Sequence, residues 1–173
     1  LSKEILNELN EISNLEDAER IKASPPVYFI ENLASHQFSA KRAFEQFGYD
    51  LTCYENILVI GAPGARKPST TKENSHGAIY GFDLKSDSKN PKYTIYGDKP
   101  QSQLGYRVSI NRNGFLAVAA PSRSNSKNNS HAGAVYLFSM YDLREGYTAY
   151  KARVDAEYYY YRFGMNFIWI GDD

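Results

Sequence analysis

The chain has 173 residues, with 20 Lys plus Arg balanced by 20 Asp plus Glu, so it lacks the cationic surplus on which nucleic-acid binding usually rests. No apolar run approaches the roughly 18 residues of a spanning helix, and a single cysteine, Cys53, excludes an intrachain disulfide framework. Fifteen Tyr and nine Phe favour half-buried pleated surfaces and tilt the reading towards β-structure.

Residues 1–24 differ in texture from the rest. Leu1, Ile5, Leu9 and Ile12 recur at helical spacing, widened by Leu6 and Leu15, with Lys3, Glu4, Glu8 and Glu11 between them. The pattern predicts an amphipathic helix, stopped by Pro25-Pro26, and this segment reads as the end of an upstream domain. The polar face is acidic, which disfavours a membrane-surface helix.

After Pro26 the pattern turns to strands, and it repeats. Phe47-Gly48 is followed by Ile57–Ile60, then Gly61-Ala62-Pro63, a polar loop, and Gly77-Ala78-Ile79-Tyr80. The same order returns as Leu104-Gly105, Phe115–Val118, Ala119-Ala120-Pro121, a second polar loop, and Gly133-Ala134-Val135-Tyr136. Gly48 to Gly105 is 57 residues, Ala62 to Ala120 is 58, and Tyr80 to Tyr136 is 56. A third copy opens at Phe163-Gly164. The repeats span about 44–100, 101–160 and 161–173, the last cut short, within a repeat region of 25–173.

Each copy reads as about four short strands. Pro63 and Pro121 end the central one because proline cannot donate to a ladder, and Gly48 and Gly105 mark a bend or a close backbone approach. A unit of this size, unable to bury its faces alone, matches one blade of a β-propeller. The expected fold is therefore mainly β: two complete blades and the start of a third, preceded by a helix. Two blades do not close a ring, so the chain reads as a piece of something longer, with apolar blade faces left uncovered.

These landmarks resemble the FG-GAP repeat, which builds the propellers of integrin α-subunit headpieces, of glycosylphosphatidylinositol-specific phospholipase D and of many secreted microbial proteins. The resemblance covers roughly residues 44–173. It implies an extracellular, secreted location. Its partners would be the remaining blades and the upstream domain of the same chain, and a glycolipid or protein ligand, with no nucleic acid. The stretch Ile95–Gly105, leading to Ala119-Ala120-Pro121-Ser122, is similar in style to repeats of the phospholipase. That family sets a helical catalytic domain upstream of its propeller. The resemblance thus implies either a non-catalytic segment of such a hydrolase, positioning the catalytic domain or the glycolipid, or an integrin-like adhesion module without activity. A small self-sufficient β-protein is the third alternative.

Many FG-GAP blades carry an Asp-rich calcium loop after the FG strand. Calcium takes six to eight oxygens, and here the loops offer only Glu55-Asn56 and Asn111-Arg112-Asn113-Gly114. No calcium is expected in the two complete copies; calcium would belong to blades beyond Asp173, and zinc to an upstream catalytic domain. His76 and His131 sit at equivalent turn positions and, with His36, form no cluster that suggests a metal or catalytic site. Cys53 alternates with Tyr49 and Leu51 and reads as a small buried residue. The polar loops 66–76 and 122–131 read first as solvated loops with no partner, the alternative being a ligand site, since rigid blades position such loops; the binding residues are not specified, and Asn128 heads an Asn-x-Ser glycosylation acceptor. Tyr158 to Phe163 reads as a strand, which would leave two tyrosines on each face. No catalytic residue is expected in this stretch.

Overall fold

A computed structural model describes residues 37–68, 75–125 and 130–170. The expected helix over 1–24 and the acceptor Asn128 lie outside the described residues. The described part is mainly β: two four-stranded antiparallel sheets and one short helix.

The first sheet runs β1 (Leu51–Tyr54), β2 (Ile57–Ala62), β3 (Ala78–Asp83) and β4 (Tyr93–Tyr96), each strand paired with the next in sequence. The second repeats that order with β5 (Val108–Ile110), β6 (Phe115–Ala120), β7 (Ala134–Ser139) and β8 (Ala152–Asp155). The strands form where the sequence offers apolar, β-branched and aromatic residues between turn residues. β2 stops at Ala62 and β6 at Ala120, immediately before Pro63 and Pro121. The helix α1 (Met140–Arg144) follows β7, capped by the Ser139 side chain, which accepts from the Asp142 N–H.

The repeat extends to hydrogen bonds. Gly48 N–H donates to Gly61 O at 3.1 Å, and Gly105 N–H to Ala119 O at 3.0 Å. Gly77 N–H donates to Ala65 O, and Gly133 N–H to Arg123 O. The link between copies has one unusual backbone signature, used three times. Phe44, Gln46 and Gly48 hold φ of 65°, 53° and 85°; Gln101, Gln103 and Gly105 hold 59°, 58° and 87°; Tyr160, Arg162 and Gly164 hold 56°, 47° and 88°. Alternate residues in the left-handed region make a tight double-back. At Gly105 the requirement is also steric, because a Cβ there would collide with the Ala78 carbonyl oxygen. The Phe163-Gly164 link therefore has the same backbone as the two before it.

Side chains of each sheet alternate between two faces. In the first sheet one face carries Ile57, Val59, Ile79 and Tyr93, and the other Ile60, Ala62, Ala78, Tyr80 and Phe82. In the second sheet, the positions equivalent to that latter set, among them Val118, Ala120, Ala134, Tyr136 and Phe138, pack directly onto the first set. Leu104 of the link, with Met140 and Leu143 of α1, completes this central core. The sheets thus join head to tail, the front face of one against the back face of the other. The front face of the first sheet is covered by Phe38 and Phe47, whose rings lie 4.1 Å and 6.1 Å from Phe82.

Two expectations are corrected. Cys53 is exposed, and Leu51 on the same face of β1 is 60% exposed. β1 is an edge strand, so alternation alone did not guarantee a neighbour over that face. The run from Tyr158 is not a strand: Tyr158 to Tyr161 form the link after β8, and all four tyrosines are exposed. The positive φ at Tyr160 and Arg162 excludes an extended ladder there.

Candidate functional site

The densest polar arrangement lies where the link after β4 meets the turn after β6. Arg123 is 3% exposed, and its guanidinium forks onto Asp98: Nε donates to Oδ1 at 2.8 Å and Nη2 to Oδ2 at 2.6 Å. Its Nη1 donates to Asp155 Oδ1 at 2.8 Å and to the Ser124 carbonyl at 3.1 Å. The Tyr136 hydroxyl donates to Asp98 Oδ1 at 2.7 Å. Arg153 closes the group, donating from Nε to Asp155 Oδ2 at 3.0 Å and lying over the rings of Tyr136 and Tyr150. Two guanidinium groups and two carboxylates leave the cluster neutral. This is the charge-assisted, bidentate pairing that makes a buried arginine tolerable.

Electrostatics follow from this geometry. Burial pushes the Asp98 carboxyl upward, but the hydrogen bonds from Arg123 and Tyr136 and the charges of Arg123 and Arg153 outweigh it and hold the group at about 2. The Tyr136 phenol is raised by burial and then by its bond to Asp98. Burial opposes the charge of Arg123, but the Asp98 bond prevails and raises its pKa. A fully ionised pair that neither gives nor takes protons near neutrality does not act as a general acid or base. The cluster fastens one sheet to the other. At the position of Arg123 the first copy has Ala65, also buried.

Beside the cluster a cleft of about 240 Å³ is lined by Ile95, Leu104, Tyr136, Phe138 and Tyr150, with Asp98 at its polar side. At the opposite end of the strands Arg144 pairs with Glu55 across the two sheets, and Asn56 Nδ2 donates to Asp83 Oδ1 at 2.5 Å. Among the described residues no three His, Cys, Asp or Glu side chains come together as a metal-binding group.

The outer face of the second sheet is different. Ala117, Val135, Leu137, Ala152 and Val154 look onto an apolar groove of about 320 Å³, walled on one side by Phe163, Phe167 and Trp169 of the third copy. Val154 is 58% exposed, and Ile168 is 76% exposed.

The repeat-defining residues all fall at structural positions. Phe47 and Leu104 are packed in the two cores, and Gly48, Gly105 and Gly164 turn the three links. Gly61, Ala62, Ala119 and Ala120 close β2 and β6, and Pro63 and Pro121 follow them. Gly77 and Gly133 form parallel bridges to Leu104 and Phe163 at the entry to β3 and β7. Tyr80 and Tyr136 hold matching places on those strands. Of the two polar loops, the described portions contribute Arg123 to the cluster; beside it the Ser122 hydroxyl donates to Gln103 Oε1 at 2.6 Å, and Asn125 Nδ2 donates to the Ala156 and Glu157 carbonyls. Sequence reasoning did not single out Asp98, Arg123 and Asp155; the available signal was a charged residue at a repeat position that is alanine in the other copy.

No model of a known protein family matches the chain, and no curated protein matches it.

Among the described residues no helix is long and apolar enough to cross a membrane.

Proposed function

We propose that the chain is a non-catalytic segment of an FG-GAP β-propeller in a secreted hydrolase of the glycosylphosphatidylinositol-specific phospholipase D type, where it positions the catalytic domain or the glycolipid substrate. The observation that supports the propeller reading is the polarity of the sheets. Each has a distinct front and back, one front already meets one back, and the second sheet's back presents a groove begun by the third copy. Units that join front to back leave a free face at each end of any stack and need either ring closure or capping. The hydrolase assignment rests on the resemblance of the repeats. Tight ion pairing of the polar cluster is in keeping with a segment that supplies support rather than chemistry.

The exposed aromatic link at Tyr158–Tyr161 favours a second reading, a propeller that grips a ligand for adhesion. The natural full-length protein separates the two. Its intact mass and peptide map, followed by release of a glycolipid-anchored reporter with and without this segment, test the hydrolase. An upstream domain with clustered His and Asp, and release that weakens when the segment is deleted, is expected. A chain of repeats alone, with no release activity, overturns the hydrolase reading in favour of adhesion.

A further inference from the structure

The three links share one end of the strands, and their tips can be compared position by position. Arg42-Ala43-Phe44, Lys99-Pro100-Gln101 and Tyr158-Tyr159-Tyr160 occupy equivalent places, and all nine residues are exposed. The next position is buried in the first two links, as Glu45 and Ser102, and exposed in the third, as Tyr161. The first three positions are thus outward-facing whether or not a following repeat is packed in place. The exposure of Tyr158, Tyr159 and Tyr160 is a property of the link itself.

The composition of these tips is selective. Phe44 is 87% exposed, Tyr158 56%, Tyr159 58% and Tyr160 72%. None of the nine residues is acidic, and Arg42 and Lys99 are cationic. Over the described residues at that end (37–50, 61–68, 75–77, 96–108, 119–125, 130–134 and 155–166) eight cations stand against five carboxylates. Of those carboxylates, Asp98 and Asp155 are engaged by Arg123, and Asp50 faces Arg107. The tips are also held in place. Phe44 and Tyr160 both sit at positive φ, a conformation costly for bulky residues, and the Tyr160 ring stacks on His131 with centroids 5.5 Å apart. The same link backbone turns the Phe44, Gln101 and Tyr160 positions outward, and the first and third of these carry rings.

We propose that this end of the molecule is a docking surface for an anionic lipid bilayer. Tyrosine and phenylalanine have apolar bodies that settle at the headgroup level, and tyrosine keeps a polar tip in water. Neighbouring Lys and Arg are drawn to the negative surface potential of an anionic leaflet. The proposal stands independently of the propeller reading, because it uses only the links as they are described.

The test is co-sedimentation of the chain with vesicles of phosphatidylcholine containing about one third phosphatidylserine, and with phosphatidylcholine alone. Binding to the anionic vesicles is expected, weakened as salt rises to about 0.5 M. A variant with Tyr158→Ser, Tyr159→Ser and Tyr160→Asn, asparagine being tolerant of positive φ, should bind about tenfold more weakly with an unchanged unfolding midpoint. Arg42→Gln with Lys99→Gln, which leaves the tyrosine link untouched, should lose several-fold and show a weaker salt dependence. Absence of vesicle binding, or binding indifferent to both variants, overturns the proposal. Retention on a heparin column without vesicle binding also overturns it, in favour of an anionic polymer.

Discussion

The back faces of the two sheets carry equivalent residues and have opposite fates. In the first sheet Ile79 is fully buried and Ile95 is packed against the core, because the second sheet lies over them. In the second sheet the same places are held by Val135 and Val154, and Val154 is 58% exposed. Strand pattern and register are the same in both. What differs is the neighbour. Burial in a repeat array is a property of the junction between units, and each interior unit supplies half of two junctions.

The strongest way to break the comparison is at the link that sets up the closed junction. Gly105→Val needs a branched side chain at φ 87° and drives its Cβ into the Ala78 carbonyl, so loss of the cooperative unfolding transition is expected. Gly146→Ala, at φ 90° but with nothing within 4 Å, should cost only about 1 kcal/mol in a denaturant titration. Next is the closed face itself. Ile79→Ala removes a fully buried side chain and should cost about 2–5 kcal/mol, whereas Val154→Ala on the open face should stay within about 0.5 kcal/mol.

The polar fastening gives intermediate effects. Arg123→Met leaves Asp98 and Asp155 without their main cation. Asp98's side chain is 41% exposed, so water recovers part of the loss, and about 2 kcal/mol is expected rather than the full cost of a broken buried pair. The pH dependence has a definite sign. Asp98 is depressed to about 2 when folded against about 3.9 unfolded, so its contribution is complete above pH ~4 and fades as pH falls towards ~2. Asp98→Asn should flatten the acid limb of a stability–pH profile in that window while lowering stability at neutral pH.

Much of the fold was legible because the landmarks are stereochemical. Gly48 and Gly105 return wherever the chain must double back, and Pro63 and Pro121 wherever the central strand must stop. The aromatic link was misread for a physical reason. Four consecutive tyrosines have strong strand propensity, but the link's conformation is set by its place between sheets, and Tyr160 takes positive φ as Phe44 and Gln101 do. Cys53 was misplaced because alternation identifies a face without showing that anything covers it. The Arg123 cluster depends on Asp98 and Asp155, 25 and 32 residues away along the chain, so no local motif contains it.

The central claim is that the second sheet's back face is an open counterpart of the first sheet's closed one. An apolar dye such as anilinonaphthalene sulfonate, titrated against the native chain and against a variant with Val154→Glu and Ile168→Glu, tests it most directly. Saturable binding to the native chain that largely disappears in the variant, with the unfolding midpoint unchanged, is the predicted result. A native chain that binds no dye, or a variant that binds it equally well, would contradict the account.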